Sequence, residues 1–427
     1  MQLYYGWRVV IVSTLVYILV FGSTVASFSL YVVPVSAEFG LSRAEMNTAF
    51  VLINVGSALW APFIGRSLDR FSLKLIIGFS AILIGAGFIT LSLSHWLWLN
   101  VLALTIGIAA GLDGAAMLTM SVLVARWFRA HRARAMTLSV TGQALGKVVV
   151  PVPTVLLIES FGWRAALFVT GLVLIIFLLL VAILIRERPG PDELEAGAET
   201  LPAANTENDG TMGERPAPMW DFLRMPHFWL IAVSIALTFA ISAAFGISVV
   251  PLGLGFGLTM TQGAIMASIY ASAAVAAKLL LAIFADKISR FTLIMGLLLV
   301  GIPLSAAFLL IHGPVQLFLF VILLGLSVGG FAALYPVLQV DVFGLASYGT
   351  VRGLMIPIQS AFVALGAIGA GSIYDRTGDY RMMFVAFAVI QAVVIVMLQA
   401  ARSLHLRSRR MQEDLTCRRS PGDTYAT

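Results

Sequence analysis

GRSLDRFSLK, Gly65 to Lys74, lies between two long apolar runs, and the same pattern returns, altered, as AIFADKISRF, Ala282 to Phe291. Asp69 aligns with Asp286 and Arg70 with Lys287. The same offset, about 217 residues, brings Gly162-Trp163-Arg164 onto Asp379-Tyr380-Arg381, so the chain reads as a duplicated unit. Duplicated units made of membrane-length segments are a common plan of secondary transporters, with the substrate site where the halves meet.

The composition around the motif requires a membrane. Of 427 residues, 60% are hydrophobic and 11% charged, whereas soluble domains carry about 25% charged residues. The mean hydropathy is +0.97. The formal net charge of +6 comes from basic residues scattered between apolar runs rather than gathered into a stripe, which orients a chain in the bilayer and does not make a nucleic-acid surface. Cys417 is the one cysteine, which excludes an internal disulfide and a thiolate metal cluster. The five histidines, His95, His131, His227, His312 and His405, are dispersed over loops and helix ends, so neither an enzyme nor a cofactor is expected. GLGFG, Gly253 to Gly257, follows no strand and is not read as a nucleotide loop.

Twelve apolar runs reach the roughly 20 residues a crossing needs. They fall near 9 to 33, 47 to 65, 74 to 94, 97 to 123, 135 to 159, 165 to 185, 228 to 254, 262 to 284, 291 to 311, 315 to 340, 352 to 373 and 382 to 401. The first is long enough to be a span and is not read as a signal peptide. Arg186 to Pro226, rich in Pro, Gly, Glu and Thr, reads as a flexible linker. The expected organisation is an N-terminal six-helix bundle over 1–186, a linker over 187–226, a C-terminal bundle over 227–402 and a tail over 403–427. Basic residues concentrate on one side, at Arg66, Arg70, Lys74, Arg126 to Arg134, Lys287, Arg290 and the tail, so both termini are expected in the cytoplasm and the protein in the plasma membrane. Trp96, Trp98, Trp127 and Trp163 are read as interfacial anchors. Gly107 and Gly111, Gly142 and Gly146, and Gly325 and Gly329 have the spacing that lets helices approach closely.

GRSLDRFSLK resembles the cytoplasmic signature G-x-x-x-D-R-x-G-R-R of the major facilitator superfamily, found between helices 2 and 3 and in weaker form between helices 8 and 9. The first copy keeps Gly65, Asp69, Arg70 and Lys74, with Ser72 and Leu73 where the family has Gly and Arg. The second keeps Asp286, Lys287 and Arg290, with Ala282 in place of the Gly. The resemblance implies an all-α membrane protein of twelve helices in two pseudo-symmetric bundles. It also implies that the Asp caps and pairs with neighbouring helix ends to hold the cytoplasmic side closed, as a gate.

Further stretches resemble the monocarboxylate transporter and oxalate:formate antiporter branch: Tyr5-Gly6-Trp7, EFGLSR from Glu38, RWFRAHRARAM from Arg126, FGWRAALFVTG from Phe161, FGLASYGTVRG from Phe343 and IYDRTGDYRMMF from Ile373. The branch commonly has a cation in helix 8, eight residues before the second loop Asp, to hold the substrate carboxylate. Lys278 has that spacing from Asp286, with lysine where arginine is usual; the charge stays and the bidentate fork is lost. The chain departs from the branch in two places. Where proton-linked members have a lysine in helix 1, this one has no ionisable group between Arg8 and Glu38 except Tyr17 and Tyr31; where the oxalate exchanger has a lysine in helix 11, nothing is charged between Arg352 and Asp375.

Apart from any resemblance, Asp113, Lys147 and Lys278 lie well inside the expected spans. Each costs roughly 2.5 to 3.5 kcal/mol at the bilayer centre, so each is expected to face the interior. Asp113 and Lys147 are each about 17 residues from the turn near Arg129, hence at similar depth on neighbouring helices, where they are placed to form an ion pair that is either structural or functional. Gln143 lies one turn before Lys147 and Tyr270 two turns before Lys278, and Gln359 lies in helix 11. These three either line the lumen or bond between helices. The leading expectation is a carrier for a small organic anion, with a coupled proton or an exchanged anion as its second partner. Lys278, with Lys147, would neutralise the carboxylate, and Asp113 would release Lys147 or carry a proton. The alternatives are efflux of a drug or metabolite, though helix 5 lacks the G-P-x-x-G-G pattern of many exporters, and a sensor that does not transport.

Overall fold

The computed structural model describes residues 4–40, 43–190, 218–284 and 288–419, and among them there is no strand. Its helices follow the apolar runs. Helix α1 consists of Tyr5–Phe21 and Phe28–Phe39, joined through a π-turn at Gly22–Ala26. It ends where Gly40 takes a left-handed φ of 65°, a helix stop that suits glycine. Helix α2 is Arg43–Arg70 and α3 is Leu73–Leu93. Helix α4 runs from Leu97–Leu102 to Thr119–Trp127 through π-turns at Ala103–Ile108 and Asp113–Met117.

Arg132–Val149 begins α5, and the helical run Pro151–Leu184 is divided at Gly162, whose φ of 81° no helix accommodates, into the end of α5 and all of α6. The second half comprises α7 Pro226–Gly255, α8 Met260–Phe284, α9 Arg290–Ala307, α10 Pro314–Phe343, α11 Tyr348–Thr377 and α12 Arg381–Arg419. Proline at the first position starts α7 and α10, where a missing N–H costs nothing. Ten described helices are long and apolar enough to cross a membrane. One of them, the 53-residue stretch Arg132–Leu184, is two spans divided at Gly162, and the 25-residue α8 completes the twelve.

Not all of the linker lacks structure. Met219–Arg224 forms a short helix between Pro218 and Pro226, because Phe222 finds burial in an aromatic cluster with Phe343 and Phe228. Trp127 is likewise not an interfacial anchor. It is buried under Tyr4 and Tyr5 and donates its indole N–H to the Arg186 carbonyl at 2.9 Å. Trp96 and Trp98 are exposed and stacked, as interfacial rings would be.

Three packings position the site. Helix α2 lies along α11, α5 lies along α8, and α5 also meets α10, so the two halves touch through these pairs. The ends of α2, α4 and α10 and the starts of α3, α5 and α11 share one side of the molecule, called here the Asp69 face.

Candidate functional site

At the Asp69 face the motif residues join the two halves. Asp69, in the last turn of α2, accepts the backbone N–H of Gly349 on Oδ1 at 2.9 Å and that of Thr350 on Oδ2 at 2.7 Å. These are first-turn amides of α11, which no carbonyl of their own helix can satisfy, so a carboxylate from the other half serves as the cap. One turn earlier, Gly65 permits the approach. A Cβ there would sit 2.1 Å from the Gly349 carbonyl oxygen, and one on Gly353 would sit 2.3 Å from that of Ala61. Arg126, near the end of α4, donates to the Leu68 carbonyl at 2.7 Å and supports the end of α2. Arg70 is exposed. In the second motif, Arg290 pairs with Asp341 of α10 at 3.4 Å; Asp286 and Lys287 lie outside the described residues.

Lys74 opens α3 and works mainly through its backbone. Its amide donates to Glu187 Oε1 at 3.1 Å, the Ser72 hydroxyl donates to the same oxygen, and the Lys74 ammonium reaches the Ile183 carbonyl at 3.3 Å. Glu187 thereby ties the end of α6 to the start of α3. Partial burial pushes its carboxyl up, but Ser72, the Lys74 and Leu73 amides and nearby Arg126 outweigh burial and hold it below the usual glutamate range. A lowered pKa means the cap contributes fully above the ordinary glutamate value, about 4.3, and fades as pH falls through the lowered one. The Tm advantage of the parent over Glu187→Gln should therefore shrink in acid; a difference that stays constant from neutral pH to well below that value would contradict the cap.

Deeper in the molecule, two cations face each other from opposite halves. Lys147 stands exposed on α5, Lys278 is half-buried on α8, and the two ammonium groups lie within electrostatic reach of one another. Among the described residues neither has a carboxylate within 4.0 Å. Gln143 and Gln359 are half-buried. Tyr270 is turned into the C-terminal half, its ring 4.9 Å from Phe245 and its hydroxyl against Ser242, so it backs the wall behind Lys278. A separate cavity of about 330 Å³, lined by Phe28, Tyr31, Leu52, Phe88 and Trp163 among others, lies wholly in the N-terminal half and has no charged side chain in its lining.

Asp113 has partners other than the expected one. It is fully buried, its Oδ2 accepts from the Ser57 hydroxyl of α2 at 2.7 Å, and the charge within its reach is Arg352 of α11. No ion pair joins it to Lys147. Equal depth fixes height but not direction, and the π-turn that begins at Asp113 re-aims its side chain toward α2. Because the two groups are not partnered, the stability losses of Asp113→Asn and Lys147→Gln should add in the double variant. A double variant melting higher than Asp113→Asn alone would restore the pair.

Arg352 and Ser57 were not legible as site residues. The apolar run read from the sequence begins at Arg352, which puts it at the membrane edge, but α11 starts at Tyr348 and carries Arg352 a full turn inward. At the opposite face, Glu38 accepts from Arg164 at 2.6 Å and from the Trp163 indole at 3.1 Å. This clamp within the N-terminal half accounts for EFGLSR and FGWRAALFVTG as a matched pair of stretches.

Twelve apolar helices in two bundles, joined by a cap at one face and carrying opposed cations between them, define a polytopic membrane carrier. The chain belongs to the major facilitator superfamily, whose family model matches residues 12–355. It is similar to monocarboxylate transporter 12 of Xenopus laevis, 24% identical over 417 residues, 94% of this chain and 89% of the relative. It is also similar to the oxalate:formate antiporter of Oxalobacter formigenes, 28% identical over 341 residues, 75% of this chain and 73% of the relative. Among solved structures, the transporter FucP in the outward conformation superposes with a TM-score of 0.70 at 13% identity, over 93% of this chain and 99% of that one. The family is one of transporters, not enzymes, and this is a multi-pass membrane protein.

Proposed function

We propose that the protein carries a small organic anion, of the monocarboxylate kind, by alternating access of halves spanning 1–186 and 227–402. The observation that carries this reading is the opposition of Lys147 and Lys278, with no carboxylate within 4.0 Å of either among the described residues. Lys278 is partly withdrawn from solvent and Lys147 adds its repulsion, so an anion between the two ammonium groups relieves both. A bound carboxylate would draw α5 and α8, one from each half, toward a common ligand. That is the differential contact a carrier needs if substrate is to favour closure. The names of the two sequence relatives support the same substrate class.

The Asp69 face is assigned to the cytoplasm, with both termini there and the protein in the plasma membrane, because the basic residues concentrate on that side. The capped state then faces outward, like the FucP structure it superposes on. The second partner is a coupled proton or an exchanged anion.

Counterflow in proteoliposomes, with lactate, pyruvate, oxalate, benzoate and a cationic dye, tests the substrate class. Saturable exchange of one or more of the acids and none of the dye is expected; dye exchange without acid exchange would establish the efflux reading instead. The orientation is tested by single cysteines at His95 and Ser408 in a chain whose Cys417 is replaced. His95→Cys, at a side chain 75% exposed, should react with an impermeant maleimide from outside and Ser408→Cys only from inside, and the reverse pattern would invert the assignment.

A further inference from the structure

Arg352 is a charge that the proposed transport site leaves unused. It is 3% exposed, and its Nη1 donates to the Tyr348 hydroxyl, one turn back on the same helix, at 2.6 Å. The guanidinium carbon stands 5.6 Å from the ring centre of Tyr335 on α10 and 5.9 Å from that of Tyr348. Tyr17 of α1, fully buried, lies within its electrostatic reach and closes the cage from the other half. Nε has no hydrogen-bond partner, and among the described residues no carboxylate lies within 4.0 Å. The acid in range is Asp113, already engaged by Ser57.

A cation buried at this depth without a paired anion is costly, and aromatic faces offset only part of that cost. If Arg352 served only to lock the halves together, its bonds would cross between them, as those of Asp69 do. Its hydrogen bond is instead made within α11, and what it meets across the interface is the phenol of Tyr17. The cage also divides along the line of opening. Tyr17, Asp113 and Ser57 belong to the N-terminal half, whereas Arg352, Tyr335 and Tyr348 belong to the other. Parting α2 from α11 at the Asp69 cap removes the first group from the second. Arg352 is then left on the newly opened wall with its Tyr348 bond and its nearest acid gone.

We infer that Arg352 is a second carboxylate site, caged while the Asp69 face is closed and offered to the transported anion when that face opens. The ligand is a small monocarboxylate, held by the guanidinium fork that Lys278 lacks. The inference rests on the organic-anion reading, and it gives the carrier one anion contact for each of its two open states: the lysine pair on one side, Arg352 on the other.

The test uses the full chain in nanodiscs, where both faces are accessible. Arginine modification by p-hydroxyphenylglyoxal is read residue by residue by mass spectrometry in the parent and in Gly65→Val, which cannot seat the cap. Labelling of Met355→Cys in the same background verifies opening, and Asp69→Asn serves where Gly65→Val does not open. Arg352 should be inert in the parent and reactive in the opened variant, and millimolar acetate or benzoate, but not acetamide or benzamide, should slow its modification about fivefold or more. An opened protein whose Arg352 stays inert, or is modified equally fast with and without the acids, overturns the inference.

A second measurement separates binding from sealing. In counterflow, Arg352→Gln should raise KM at the Asp69 face about tenfold more than at the other face, with Arg352→Lys between the two. A residue that only sealed the gate would lower KM at that face, because its loss favours opening. If the parent shows no counterflow with any acid, the transport reading fails while the protection result still decides the role of Arg352.

Discussion

Lys278→Gln is expected to abolish saturable anion uptake, while Lys278→Arg retains a measurable part of it. Glutamine keeps most of the side-chain volume and a donor but no charge, so a substrate carboxylate would be left desolvated opposite it. Losing one member of a buried charged contact costs roughly 2 to 5 kcal/mol, or about 30- to 5,000-fold in apparent affinity. Arginine restores the cation with a different reach and geometry, which accounts for partial rather than full activity. Expression and Tm should change little, because among the described residues Lys278 has no carboxylate within 4.0 Å whose charge it would leave uncompensated. In the absence of substrate the change even removes repulsion from Lys147. Uptake with an unaltered KM in Lys278→Gln, at equal expression, would remove the residue from the site.

The second large effect belongs to the gate. Gly65→Val places a branched side chain where even a Cβ comes within 2.1 Å of a backbone carbonyl, and neither α2 nor α11 has a flexible side-chain end there to give way. Overpacking of this kind costs about 1 to 3 kcal/mol, and here it falls only on the state in which the helices touch. The equilibrium should therefore shift toward opening at the Asp69 face by about 5- to 150-fold. Apparent affinity at the opposite face falls with the fraction of molecules competent to bind there. Met355→Cys, 2% exposed in the capped state at its native methionine, should become reactive to maleimide in this background. Asp69→Asn should move the same way by less, since it keeps an acceptor and loses the charge that strengthens the cap. Labelling of Met355→Cys that is identical in parent and Gly65→Val would show that the contact does not govern opening.

The gate was legible in the sequence because its elements are local. Gly65 and Asp69 are one turn apart in a short motif whose resemblance to the superfamily signature implied that the Asp caps a neighbouring helix end, whereas the close approach that Gly65 allows came only from the structure. The twelve helices were legible for a similar reason, since a bilayer-length run of apolar residues has few other uses, and Gly162 between two runs marks the break that the backbone makes there. Direction around a helix was not legible. Counting residues from the turn near Arg129 puts Asp113 and Lys147 at similar depth, but which neighbour each meets depends on the π-turns of α4 and on packing against α2 and α8. Tyr270 shows the same limit, since a residue two turns from Lys278 on an ideal helix still turns toward Phe245. Arg352 was missed because charge at the start of an apolar run reads as an interfacial residue until the helix beneath it is seen to begin four residues earlier.

The proposed anion site lies between Lys147 and Lys278, one from each half. Equilibrium binding to purified protein in nanodiscs decides whether that site holds the substrate. The labelled acid that gives counterflow should be titrated into the parent and into the Lys147→Gln, Lys278→Gln double variant, with Tm recorded for both. Saturable binding by the parent, weakened about 100-fold or more in a double variant of unchanged Tm, is the predicted result. Equal affinity in the two proteins would place the substrate elsewhere and contradict the account.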